Sequence, residues 1–312
     1  MLGAVVASIG VAAVAQSFGP GTLFEGEVRF GPPSESANVD ADPTPKQTPY
    51  FGHDQDLKLA LLLAFMLGGG ILALLGRPRL RRVALAAAVV VLGFVMGGFL
   101  CPTAAVQNVF LKWDTAYLLL FLVPVLGALV MGRLFCGYVC PFGALQELLH
   151  VSRWALRIPR RVARALGWVR FPILLYLVAR VLATHEVILD GLSPFKPLFT
   201  WGGPPATLAF TALLAALSVV VFRPFCRVLC PYGALLSLVS RARLLVLRKK
   251  GDCRGCHVCT RSCPAGVMDC GSVDDGECLV CGACASKCPP GCLGLTFRWR
   301  KNTAPPHAGT GG

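Results

Sequence analysis

The chain has 312 residues, of which 55% are hydrophobic and only 15% charged. With a mean hydropathy of +0.64 it is too apolar for an ordinary soluble domain. Its 30 Lys and Arg outnumber 16 Asp and Glu, but they sit beside apolar spans, where the positive-inside rule accounts for them, so nucleic acid is not the expected partner.

Residues 1–18 form an apolar N-terminal helix or signal segment, with Ala13 and Ala15 in a small-residue cleavage arrangement but no Lys or Arg before the apolar run. Residues 19–56 read as an extracytoplasmic loop rich in Gly, Pro and acidic side chains, in which no site is visible. A membrane domain is expected over 57–248. Its apolar spans lie at 57–76, 83–100, 115–135 (with Pro124 as a tolerated kink), 168–184 and 206–222. An uncleaved N-terminal helix would add a sixth. Lys and Arg concentrate at 77–82, at 153–170 and from Arg223 onward, which puts those loops in the cytoplasm. Arg180, within or near a span, is expected to snorkel to the outer interface, with Glu186 or Asp190 as partners otherwise.

Within the membrane domain an internal repeat stands out. Phe135-Cys-Gly-Tyr-Val-Cys-Pro-Phe-Gly-Ala-Leu145 matches Phe225-Cys-Arg-Val-Leu-Cys-Pro-Tyr-Gly-Ala-Leu235. Each copy follows a span and precedes a short amphipathic segment, and Pro141 and Pro231 suit the first turn of a new helix. If helical, Cys136 and Cys140 share one face, as do Cys226 and Cys230, with thiols ~6 Å apart along the axis. Facing pairs could then supply four thiolates to a metal cluster. A redox dithiol in each copy, or small buried residues at helix breaks, are the competing readings. Cys101 fits a degenerate third copy and holds no cluster alone.

The C-terminal stretch, 249–297, carries the strongest signal. Cys253 to Pro264 and Cys278 to Pro289 both read C-x2-C-x2-C-x3-C-P, the spacing of bacterial ferredoxins with two [4Fe-4S] clusters. In that pattern the fourth Cys of each run serves the other cluster. Cys253, Cys256, Cys259 and Cys288 are expected on cluster 1, and Cys278, Cys281, Cys284 and Cys263 on cluster 2. Zinc would favour paired C-x2-C units, and a disulfide scaffold would need an oxidising compartment. Asp275-Gly276 marks a turn in the linker. Cys270 and Cys292 are expected to be small apolar fillers, His257 to tune solvation at most, and residues 298–312 to form a flexible tail. His150 and His185 fall near opposite faces of the membrane, so no haem is expected. The fold class is therefore mainly α, a polytopic helical membrane protein with a small C-terminal α+β bacterial-type 2[4Fe-4S] ferredoxin domain.

Spans carrying F-C-x3-C-P-[FY]-G-A-L twice, followed by two ferredoxin motifs, resemble the NapH/NosR-type membrane polyferredoxins over roughly residues 57–295. The resemblance implies an electron-transfer protein of the bacterial inner (cytoplasmic) membrane, with its ferredoxin domain cytoplasmic. It would relay electrons between the quinone pool or a cytoplasmic donor and an extracytoplasmic redox partner in anaerobic respiration. It would be a non-catalytic subunit rather than an enzyme that turns over a substrate. The alternative is a maturation factor that supplies electrons or thiol reducing equivalents for metal-centre assembly in a partner enzyme. The NosR type also has a large domain with a covalently flavinylated Thr. Residues 16–56 are too short for it, so no covalent flavin is expected and any flavin would sit on a partner flavoprotein.

Overall fold

A computed structural model describes residues 55–97, 106–107, 109–110, 115–151, 153–156, 158–184, 194–199, 205–249, 253, 255–270, 272–288 and 292–298. The N-terminal segment with Ala13 and Ala15, the acidic loop, Cys101, His185, Glu186, Asp190 and the tail beyond 298 lie outside them.

The chain runs through α1 (Gln55–Leu75), α2 (Pro78–Ala87) with a π-helical continuation (Ala88–Val95), and α3 (Thr115–Met131). A second π-helical turn, Phe135–Val139, leads into α4 (Pro141–Leu149). Then come α5 (Arg160–Trp168), α6 (Arg170–Thr184), α7 (Phe195–Phe199), α8 (Pro205–Val220), α9 (Pro224–Val228) and α10 (Pro231–Ser240). Among the described residues, 56–75 and 162–184 are helical stretches long and apolar enough to cross a membrane. The helices at 117–131 and 205–220 are apolar but shorter. Length is limited at α3 by Gly132, which turns the chain with φ 85° directly after Met131.

The internal repeat extends beyond its cysteines. In the first copy α2, α3 and α4 follow one another as α6, α8 and α10 do in the second. The copies interlock, with α4 packed on α8 and α10 packed on α3. Phe142 meets Phe225 edge-on with centroids 5.1 Å apart, and Tyr232 lies 5.7 Å from Phe135. Tyr232 Oη donates 2.9 Å to the Phe121 carbonyl, three residues before Pro124 in the interior of α3. His150 Nδ1 lies 3.3 Å from Ser218 O, which binds the end of α4 to α8.

The ferredoxin module is built around an antiparallel pair, β1 (Leu245–Lys249) and β4 (Leu293–Phe297), with Leu247 opposite Leu295. The boundary expected after residue 248 thus falls inside β1. Between these strands lie α11 (Val258–Ser262), the hairpin β2 (Met268–Asp269) and β3 (Ser272–Val273), and α12 (Ala283–Ser286). The expected turn at Asp275-Gly276 is present, with Gly276 N–H donating 3.1 Å to Asp274 Oδ1.

Candidate metal centres

The two ferredoxin loops share one backbone pattern. Gly255 and Val280, at equivalent positions, have φ of 67° and 52°. His257 and Gly282, also equivalent, have φ of 54° and 73°. Val280 and His257 are not glycine, so this left-handed geometry is imposed by the loop. It turns backbone N–H groups onto sulfur, as in the anion-binding nests of iron–sulfur sites. The amides of Gly255 and Ala283 accordingly donate to the thiols of Cys253 and Cys281.

Cys263, Cys278, Cys281 and Cys284 line one cavity of about 340 Å³, with Met268 and Leu279 among its apolar walls. These are the four residues expected on cluster 2, one of them drawn from the other motif. Burial pushes Cys281 up to about 11 and Cys284 up to about 12. At neutral pH such thiols keep their protons until a metal displaces them. Among the described residues no three His, Cys, Asp or Glu side chains converge tightly enough for a single ion. A cubane needs its thiolates at the corners of a wider tetrahedron, and four thiols lining one cavity fit it. On the cluster 1 side, Cys259 is buried and Cys256 exposed, while Cys253 interacts with Cys270 and Cys292. His257 is exposed.

The four cysteines of the C-x3-C-P repeat also come together. Cys136, Cys140, Cys226 and Cys230 are all buried. Cys140 and Cys226 hydrogen-bond across the repeat, and Cys136 and Cys230 both lie within the field of Cys226. The expectation that each pair shares one helix face is corrected. Cys136 sits in a π turn and Cys226 in the short α9, whereas Cys140 and Cys230 are the extended N-caps of α4 and α10. Pro141 and Pro231 start those helices as expected. The Cys230 sulfur caps its helix by accepting from the Gly233 amide at 3.3 Å.

Two buried arginines cross between the copies. Arg133 Nη2 donates to Cys226 O at 3.3 Å, and Arg223 Nη1 donates to Cys136 O. Gly143 and Gly233 leave room for them, since a Cβ there would stand 3.2 Å from Arg223 Nη1 and 3.1 Å from Arg133 Nη2. The Cys140 hydrogen bond outweighs burial and, with Arg223 and Arg133, holds the Cys226 thiol down to about 7. Burial pushes Cys136 up.

Each arginine also meets a carboxylate. Glu147 of α4 pairs with Arg223 and with Arg81 of α2. Burial would raise its pKa, but the two guanidiniums win and hold it at about 2. Glu277, in the ferredoxin linker, pairs with Arg133 at 2.7 Å and with Arg170. Arg133, Arg170, Arg223 and Arg243 are each at most 1% exposed. In the sequence Arg81, Arg170 and Arg223 read as orientation signals, and Arg133, Glu147 and Glu277 carry no assigned role. A signal was available: an Arg precedes the first Cys by three positions in both copies. Arg180 is exposed on α6.

The cluster 2 loop seats on this layer. A Cβ at Gly137, between Cys136 and Cys140, would lie 2.5 Å from Leu279 O, so only glycine admits the contact. Tyr138 Oη donates 3.3 Å to Val280 O. Leu279 and Val280 stand between Cys278 and Cys281, so the first C-x3-C segment touches the second ferredoxin-motif loop directly.

A family described as a 4Fe-4S binding domain matches residues 113–159 and 204–251, the two segments that carry the C-x3-C-P copies. Protein NirI of Paracoccus denitrificans is 33% identical over 227 residues, 63% of this chain and 33% of NirI. The regulatory protein NosR of Pseudomonas aeruginosa is 36% identical over 148 residues, 43% of this chain and 21% of NosR. In these matches the chain is similar to NapH/NosR-type ferredoxin proteins. The methylamine utilization ferredoxin-type protein MauN of P. denitrificans is 27% identical, over 52% of this chain and 60% of MauN. This chain thus spans about a third of NirI and a fifth of NosR. No solved structure matches it.

Proposed function

We propose that this protein is a membrane-bound electron relay with three thiolate sites in line. Cys253, Cys256, Cys259 and Cys288 would hold the first [4Fe-4S] cluster, and Cys263, Cys278, Cys281 and Cys284 the second. Cys136, Cys140, Cys226 and Cys230 would hold a third cluster shared between the repeats. Such clusters, when bound, supply reversible one-electron transfer. The chain supplies the rest. Exposed Cys256 puts the first site within reach of a soluble donor or acceptor. Gly137 and Tyr138 hold the second site against the third, and Arg133 and Arg223 offset the negative charge that four thiolates bring into a buried place.

One observation carries the reading of the C-x3-C-P layer. Its thiols associate across the copies, Cys140 with Cys226, whereas a dithiol in each copy would pair Cys136 with Cys140 and Cys226 with Cys230. The third site adjoins the ends of the apolar helices α3 and α8, so the quinone pool is the nearest exchange partner, with a redox protein, such as a flavoprotein, beyond it. On this reading the protein is a multi-pass protein of the bacterial inner membrane with a cytoplasmic ferredoxin module, and it turns over no substrate of its own.

The test uses sealed vesicles that contain the full chain and a quinone, given a low-potential reductant that cannot enter the bilayer. Quinone reduction should depend on the chain and be lost in Cys136→Ala/Cys226→Ala. Equal quinone reduction by that variant would refute the relay through this layer.

A further inference from the structure

The first ferredoxin site holds more thiols than one cubane can use. Four ligands are expected there, yet Cys270 and Cys292 stand among them. Cys292 Sγ lies 3.5 Å from Cys288 Sγ, and Cys253 exchanges hydrogen bonds with both Cys270 and Cys292. Cys259 lies close enough to Cys270 to influence it. Cys270 and Cys292, expected as small fillers, thus lie beside the expected ligands.

Two features argue against accident. Cys270 occupies the left-handed region with φ 38°, where a side chain is disfavoured and glycine or asparagine is the ordinary choice. Its amide is tied to Thr260 Oγ1 at 3.0 Å, which fixes the β2–β3 hairpin against α11 between Cys259 and Cys263. Cys292 is 6% exposed and immediately precedes β4, whose pairing with β1 holds it in place. Cys288, by contrast, follows the short α12 and is only half-buried. The better-anchored thiol of this adjacent pair is the one outside the ferredoxin motif.

We propose that Cys292 is an alternate fourth ligand of the first cluster, exchangeable with Cys288. In the exchange one iron–sulfur bond to Cys288 breaks, one to Cys292 forms, and the Cys292 proton passes to Cys288. No electron is gained or lost. The site nearest the exposed end of the relay would then keep its cluster when one thiol is lost to oxidation or alkylation, whereas the enclosed second site has no such reserve among its cavity-lining residues. This inference rests on the two-cluster reading of the ferredoxin module.

The experiment compares iron and acid-labile sulfide, with EPR, in the full chain purified anaerobically as wild type, Cys288→Ala, Cys292→Ala and the double variant. Cys292→Ala should match wild type, Cys288→Ala should keep its iron and sulfide with an altered EPR signal for the first cluster, and the double should lose about four irons per chain while the second cluster's EPR signal persists. Cys288→Ala losing about four irons by itself would overturn the proposal, as would a double variant that keeps them all. The Cys288→Ala result decides the matter even if the double variant fails to fold. Wild-type protein without ferredoxin-type iron would overturn the two-cluster reading, and this inference with it.

Discussion

The two copies of the C-x3-C-P repeat share their cysteines, their arginine and their glycine, but differ where the carboxylate should be. The first copy has Glu147. The equivalent residue of the second is Ser237, and the carboxylate there comes from Glu277 of the ferredoxin module. Ser237 Oγ donates 3.1 Å to Glu277 Oε1, and Arg170 Nη2 donates 2.8 Å to Ser237 Oγ. The first copy is thus complete within the helical region, and the second is completed only when the ferredoxin module is docked. The difference couples assembly of the module to the architecture of the thiol layer. Asp275 adds a second strap, bound by Arg243 at 2.7 Å and Arg248 at 3.2 Å.

The largest effect is expected in the self-contained copy. Glu147→Ala leaves Arg81 and Arg223 buried without their carboxylate and should cost about 3–5 kcal/mol of stability, read as a fall in thermal or denaturant midpoint. Acid should reproduce it. Glu147 titrates at about 2 when folded against 4.5 when unfolded. Its contribution of about 3 kcal/mol is therefore present above pH 4.5 and lost as pH falls towards 2. A midpoint unchanged between pH 5 and pH 2.5 would contradict the pairing.

A smaller global effect but a local detachment is expected from Glu277→Ala. Its side chain is 21% exposed against 14% for Glu147, so water offsets part of the loss. Limited proteolysis should release the module between α10 and β1 faster than in wild type. Moving the carboxylate sharpens the comparison further: Ser237→Glu with Glu277→Ser should restore partners to Arg133 and Arg170 while leaving the module more weakly held. If module release in that double variant equals wild type, Glu277 is not the docking contact. The smallest effect is expected from Tyr138→Phe, which removes one hydrogen bond to Val280 and should change stability by about 1 kcal/mol with iron content unaltered.

What could be read in advance follows from distance along the chain. Ferredoxin ligands recur at short spacings, so Cys253 to Cys288 could be grouped from residues alone, and one cavity gathers Cys263 with the second motif. The thiols of the C-x3-C-P copies were visible, but their meeting was not, because it depends on α4 packing across α8 and α10 across α3. The helix-face expectation failed because proline at N1 requires an extended residue before it, which makes Cys140 and Cys230 caps. The arginines were hidden by a stronger prior: basic residues beside apolar spans usually report orientation. Arg81 and Arg170 instead point into the protein and meet carboxylates 66 and 107 positions away.

The central claim is that the two C-x3-C-P copies jointly hold one iron–sulfur cluster. Iron and sulfide counts on anaerobically purified protein test it directly. About twelve irons per chain are expected in the wild type and about eight in Cys136→Ala/Cys226→Ala, with both ferredoxin EPR signals intact. About eight irons in both proteins would contradict it.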